Sequence, residues 1–253
     1  MSTNSQRQIV IGDVHGHYAG LMTLLEAIAP STTDQVYFLG DLIDRGPESS
    51  QVVRFVKEGS HQCLLGNHEQ FLLDAFPDNQ IQNQALQSWL YSGGHMTLVS
   101  YGEDMDLLLE HVEWMRTLPL YIDLGAVWLV HAGVNPQMPL EAQGAQEFCW
   151  VREAFHSHPQ PYFPDKLIIA GHTITFTLPG VAPGELAQGA GWLDIDTGAY
   201  HPKSGWLTGL DLTNRQVYQV NVYQDCQRTL SWEAAITHIE PAQVIRHRQL
   251  LRL

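Results

Sequence analysis

The stretch Leu39-Gly40-Asp41-Leu42-Ile43-Asp44-Arg45-Gly46 ends a short apolar run, residues 35–39, in a glycine followed by a charged cluster. Two other stretches are built the same way. Ile11-Gly12-Asp13-Val14-His15-Gly16 follows an apolar run ending at Ile11, and Leu65-Gly66-Asn67-His68-Glu69 closes residues 61–65. Each reads as a strand that leaves its sheet through a glycine, which permits a sharp exit, and then presents a polar side chain. Helical patterns lie between them. Leu21, Leu24, Leu25 and Ile28 recur at i, i+3, i+4 and i+7; Val52, Phe55 and Val56 form a second stripe, opened by Pro47 and stopped by Gly59. Asp13 and Asp41 are 28 positions apart (41 − 13), and Asp41 and Asn67 are 26 apart (67 − 41). Each interval holds one strand-helix-strand unit, so the rhythm predicts a parallel sheet with all three polar side chains at one edge.

Working outward, residues 80–117 read as helical, with Met105, Leu108, Leu109, Val112 and Met115 on one stripe and a turn at Gly93-Gly94. Short strands return at residues 120–124, 126–131, 167–170, 192–196, 207–211 and 216–223. The expected fold is α/β: two mixed β-sheets packed as a central sandwich flanked by helices, with the second half of the chain supplying a largely antiparallel or mixed sheet that faces the first. A single domain over residues 1–253 is expected, with 225–253 a C-terminal extension whose terminal helix would carry Arg246, Arg248 and Arg252.

Composition narrows the function. With 44% apolar and 16% charged residues, the chain can bury a sizeable core. No apolar run approaches the roughly 18 residues of a membrane span, and Met1 to Gln8 lacks an apolar leader. Cys63, Cys149 and Cys226 have no metal-motif spacing and read as reduced thiols, so a cytoplasmic location is expected. A net charge of −14 argues against a nucleic-acid surface. Any anionic substrate must then be drawn by local positive charge, which points to metal.

Two histidines complete the polar set: His131-Ala132-Gly133 and Gly171-His172-Thr173, each after an apolar strand. Carboxylate, amide oxygen and imidazole together suit borderline-hard divalent ions such as Mn²⁺, Fe²⁺ or Zn²⁺. The absence of cysteine from these loops disfavours a structural zinc site. One such loop alone is an ordinary turn; five in order, with matched spacings, are not. The remaining histidines read as core or solvated residues, with His17 near the rim. Trp89, Tyr91 and Trp114 read as core aromatics.

These loops, with His131 and His172, resemble the signature of the phosphoprotein phosphatase family, bacterial and bacteriophage type, within the calcineurin-like metallophosphoesterases. The resemblance covers about residues 8–211, and Ile195-Asp196-Thr197-Gly198-Ala199 is similar to the family's late strands. It implies one ion on Asp13, His15 and Asp41, and a second on Asp41, Asn67, His131 and His172, with Asp41 bridging. It implies two divalent ions, manganese first, and direct attack on phosphorus by a hydroxide shared between them. His68 would be the general acid, oriented by Asp44, and Arg45 and Arg152 would hold the substrate phosphate.

The expected activity is hydrolysis of phosphoserine and phosphothreonine, with phosphotyrosine and small phosphoesters as further substrates of a monomeric enzyme that needs neither nucleic acid nor membrane. The alternative is hydrolysis of dinucleoside tetraphosphates such as diadenosine tetraphosphate, a group that Arg45-Gly46-Pro47-Glu48-Ser49 also resembles. Asp44 before Arg45, and Glu69 after His68, favour the first expectation, since both positions usually differ in the alternative group.

Overall fold

The computed structural model describes residues 6–59 and 61–251. The first part of the chain runs β1 (Gln8–Ile11), α1 (Tyr18–Ile28), β2 (Gln35–Phe38), α2 (Ser49–Glu58), β3 (Gln62–Cys63) and α3 (Asn67–Ala75). A helical stretch follows, α4 (Asn83–Trp89), α5 (His95–Tyr101) and α6 (Met105–Met115), broken at Gly93 as expected. Then come β4 (Tyr121–Asp123), β5 (Val127–Val130), α7 (Ala145–Phe148), α8 (Glu153–His156), β6 (Leu167–Ala170), β7 (Leu186–Gly189) and β8 (Trp192–Asp194). The chain ends with β9 (Trp206–Asp211), β10 (Gln216–Asn221), β11 (Gln227–Ser231), α9 (Trp232–Ala235), β12 (Ile236–His238) and α10 (Pro241–Leu251). No helix among the described residues is long and apolar enough to cross a membrane.

The strands make two mixed six-stranded sheets, β11-β10-β9-β1-β2-β3 and β12-β7-β8-β6-β5-β4. The division between them departs from the expectation in one respect. β9, β10 and β11 do not join the second sheet but extend the first, β9 pairing antiparallel with β1 through Ile9↔Asp211 and Ile11↔Gly209. A central parallel strand leaves backbone donors and acceptors on both sides, and β2 satisfies only one side of β1. Three short strands, β7, β11 and β12, were not among those expected.

Alternation along the strands explains the layers. On β1, Val10 and its cross-strand neighbour Leu210 face the second sheet, in one cluster with Leu129, Ile169 and Leu193, while Ile9 and Ile11 turn outward to the helices. On β6, Ile169 faces inward, and Ile168 and Ala170 pack outward with Trp192 and Phe155. Both faces of the central strands β1, β5 and β6 are therefore largely dry, which is why these strands read as unbroken apolar runs. α1 covers the first sheet with Leu21, Leu24 and Ile28, and α2 with Val52, Val53 and Val56. In α6 the buried stripe is Leu108, Val112 and Met115, and Met105 is exposed. Trp89 is fully buried, whereas Tyr91, expected in the core, is 96% exposed. α10 carries Arg246; Arg252 lies outside the described residues.

Candidate metal centre

The parallel strands β1 and β2 end side by side, so the turns after them meet at one edge of the first sheet. His15, Asp41, Asp44 and Arg45 all have positive φ, between 47° and 72°, as does His172 at 67°. Left-handed backbone at five non-glycine residues is costly and concentrates at functional sites. The glycines ahead of these residues serve two different ends. Gly40 has φ +97° and takes the sharp exit. Gly66 is needed for space, since a Cβ there would stand 2.3 Å from Asp41 Oδ1.

Two groups of buried side chains present ligand atoms within 4.8 Å of one another: His15, Asp41 and His68, and Asp41, His131 and His172. Asp41 belongs to both. Asn67 joins the second, its Oδ1 lying 3.0 Å from His131 Nε2 and 2.7 Å from His172 Nδ1. Asp13 is buried beside them but stands outside both groups, its carboxylate accepting from His172 N at 3.1 and 3.3 Å. Burial, then the charges of Asp196 and Asp41, push its pKa well above the ordinary range.

Whether this arrangement fits cations can be judged from the ring nitrogens. His15 Nδ1 donates to Ile43 O at 3.0 Å, which puts the proton there and turns the Nε2 lone pair toward Asp41 Oδ2 at 3.5 Å. His131 repeats the pattern: Nδ1 bonds Leu39 O at 2.8 Å, and Nε2 faces Asp41 Oδ1 at 3.4 Å. Burial lowers the pKa of both rings and keeps them neutral. A neutral lone pair aimed at a carboxylate or amide oxygen is unfavourable unless a cation sits between them. The donor set fits divalent ions.

His68 and Asp44 are bonded, Nδ1 to Oδ2, at 2.7 Å. Asp44 is fully buried and also accepts from Thr97 Oγ1 at 2.6 Å and Trp89 Nε1 at 3.0 Å. Burial opposes a charged His68, but the Asp41 and Asp44 carboxylates outweigh it and raise the ring's pKa. Arg45 Nη2 donates to His68 Nε2 at 2.8 Å, and its guanidinium lies 3.8 Å from the centre of the Tyr200 ring. Arg152 Nη1 donates to His172 O at 3.0 Å and to Thr173 Oγ1 at 3.3 Å. Arg45 and Arg152 line one cavity of about 110 Å³ with His15, Asp41, Asn67 and His68.

Three contributors were missed in the sequence. Asp196 and Tyr200 line the same cavity. Burial and the Asp41 charge raise the Asp196 pKa to about 6. Its signal was present, an apolar strand followed by a polar residue and, two positions on, a glycine, the order also seen at His131-Ala132-Gly133. Glu69, fully buried, accepts from Asp41 N and Leu42 N, both at 2.8 Å, and from Gly66 N at 3.0 Å, tying the second loop to the third. Both its oxygens face N–H donors, which leaves no place for a proton. Burial and the nearby Asp41 charge work against those bonds and raise its pKa, while the three N–H donors hold the ionised form.

The comparisons agree with this chemistry. The symmetrical bis(5'-nucleosyl)-tetraphosphatase of Coxiella burnetii (strain Dugway 5J108-111) is 39% identical over 139 residues, 51% of this chain and 42% of that protein. The chain thus spans about half the length of the curated relatives it matches. A solved structure provisionally named a diadenosine tetraphosphatase superposes with a TM-score of 0.59 at 19% identity, over 91% of this chain and 96% of that one. A cold-active protein-tyrosine phosphatase from a psychrophilic Shewanella gives 0.56 at 19%, over 89% and 80%. At that identity, the two structures speak for the fold alone. Residues 7–194 match the calcineurin-like phosphoesterase model, and the chain belongs to that family.

Proposed function

We propose that the chain is a metal-dependent hydrolase of dinucleoside tetraphosphates, adding water across the central P–O–P bridge of diadenosine tetraphosphate to release two nucleoside diphosphates. The observation that carries this reading is the 39% identity to a symmetrical bis(5'-nucleosyl)-tetraphosphatase. It displaces the phosphoprotein as first expectation. The cavity is compatible with either substrate: about 110 Å³ is well below the ~300–1,000 Å³ of a pocket that encloses a whole ligand. One phosphoryl group enters, and the rest of a long substrate lies outside.

In this reading Asp13, His15 and Asp41 hold one divalent ion, and Asp41, Asn67, His131 and His172 the second. Bound cations supply Lewis acidity at the phosphoryl oxygens. Arg45 and Arg152 grip non-bridging oxygens, whose charge and geometry suit guanidinium. Arg45 now rests on His68 Nε2; a phosphoryl group that claims Arg45 frees that nitrogen to carry a proton toward the leaving group, while Asp44 holds the other side of the ring.

A second reading, hydrolysis of phosphoserine or phosphothreonine, is favoured by one feature, the 2.7 Å bond between His68 and Asp44. An alkoxide departs only with a proton, whereas a nucleoside diphosphate departs as a stable anion, so a carboxylate-backed imidazole matters most for alcohol esters. Diadenosine tetraphosphate and a phosphoserine peptide assayed side by side with manganese-loaded protein test both. Turnover of the peptide alone overturns the proposal.

A further inference from the structure

A second cavity opens beside the first. It measures about 270 Å³, and Arg152 and Thr177 stand in the walls of both. The two spaces differ in chemistry. Carboxylates, imidazoles and guanidiniums wall the first, while Leu178, Pro179, Val244 and His247 supply much of the second. Leu178 and Val244 belong to the apolar cluster that packs outside the second sheet, and α10 forms one side of the groove.

Glu153 also lines the groove, and the side chains of Thr177, Thr173 and His156 are committed elsewhere. Thr177 Oγ1 donates to Ile174 O at 2.7 Å, and Thr173 Oγ1 accepts from Arg152. His156 bonds Arg152 O through Nδ1 at 2.8 Å and Asp194 through Nε2 at 3.1 Å. A peptide backbone laid here would lose its hydrogen bonds to water and find few in return. A planar base has a smaller loss, because it can lay its apolar faces on this lining and leave its polar edge in water. At the boundary, Arg152 offers a cation to whatever anionic link joins that base to the reacting phosphoryl group.

We propose that this groove receives the nucleobase of the substrate. The purine lies against Leu178, Pro179 and Val244, with the His247 imidazole beside it. Arg152 takes the phosphate between the base and the site of cleavage. The assignment rests on the dinucleoside tetraphosphate reading, which it extends to a specificity pocket.

The test compares the binding of ADP and of ribose 5-diphosphate, which lacks only the base, to the manganese-loaded protein by titration calorimetry. ADP is expected to bind at least tenfold more tightly, and Val244→Trp, which fills the groove, to remove most of that difference while ribose 5-diphosphate still reports an intact phosphate site. Equal binding of the two ligands by the unaltered protein overturns the assignment, whatever becomes of the variant. Hydrolysis of diadenosine tetraphosphate is followed in parallel. Turnover with equal binding refutes the groove and leaves the tetraphosphatase reading standing. An ADP preference abolished by Val244→Trp, without turnover, supports the groove as a nucleotide site and refutes that reading. A Val244→Trp variant that keeps its ADP preference but loses phosphopeptide hydrolysis overturns the proposal in favour of a peptide side chain.

Discussion

Replacing Glu69 with alanine removes the one side chain that accepts from Asp41 N, Leu42 N and Gly66 N together. All three donors lie in closely packed loops, and an unsatisfied buried N–H costs about 1–3 kcal/mol. Allowing for some relaxation and entry of water, the sum is about 3–6 kcal/mol, a large share of the ~5–15 kcal/mol by which a domain is ordinarily stable. Glu69→Gln is the graded control. Its single amide oxygen can still accept from Asp41 N and Gly66 N, but its NH₂ group confronts Leu42 N–H, for a loss of about 1–3 kcal/mol. Urea unfolding of the metal-free proteins, monitored by tryptophan fluorescence, gives the ranking parent, then Gln, then Ala. Because Glu69 fixes the backbone of Asp41, both variants should also bind manganese more weakly. An alanine variant within about 1 kcal/mol of the parent would mean that these amides find other acceptors, and the account of the loop clamp would be wrong.

His68→Asn is expected to lower kcat by about 10²–10⁴ for esters with poor leaving groups and least for p-nitrophenyl phosphate; an equal loss across leaving groups counts against an acid role. Asp41→Asn should deplete both ions at once, since Asp41 belongs to both ligand groups, and full metal content by elemental analysis contradicts the bridge. His111 is buried against the Tyr101 hydroxyl at 2.6 Å, and burial, then Lys57, lowers its pKa to about 4. The unfolded chain, with a histidine pKa near ~6.5, takes up the proton first, so stability is full above that pH and falls as pH drops toward 4. The loss is about 1–3 kcal/mol, and His111→Asn should flatten it; an unchanged acid limb in the variant would assign the slope to other groups.

Much of the site was legible because its grammar is local. An apolar strand, a glycine and a polar residue sit within five positions of one another, and the helix between successive loops sets their spacing. That predicts Asp13, Asp41 and Asn67 at one sheet edge; in the fold Asp41 and Asn67 share a cluster with His131 and His172, and Asp13 is buried beside it, accepting from His172 N. Asp196 has its glycine after the carboxylate, the order of His131-Ala132-Gly133, and its loop reads from sequence only as similar to the family's late strands. Glu69 was hidden for a different reason: its partners are backbone amides, 27 and 28 positions away for Leu42 and Asp41, and backbone amides leave no mark in a sequence. Tyr200 likewise acts through a stacking contact with Arg45 that no spacing encodes. Among the strands, β11 is polar on alternate positions and β12 has only three residues, so neither made an apolar run. The sheet that β9 joins was decided by the open side of β1, a property of the assembled layer rather than of either segment.

That late pairing has a consequence for synthesis. On the ribosome, β1 emerges 195 positions before the start of the strand that will seal its open side (206 − 11). Throughout that interval an apolar strand carrying unpaired amides and carbonyls is offered to any neighbouring nascent chain. Translation products that stop before Trp206 lack the seal altogether, and they belong with the clients of chaperones and proteases rather than with partial but soluble enzymes.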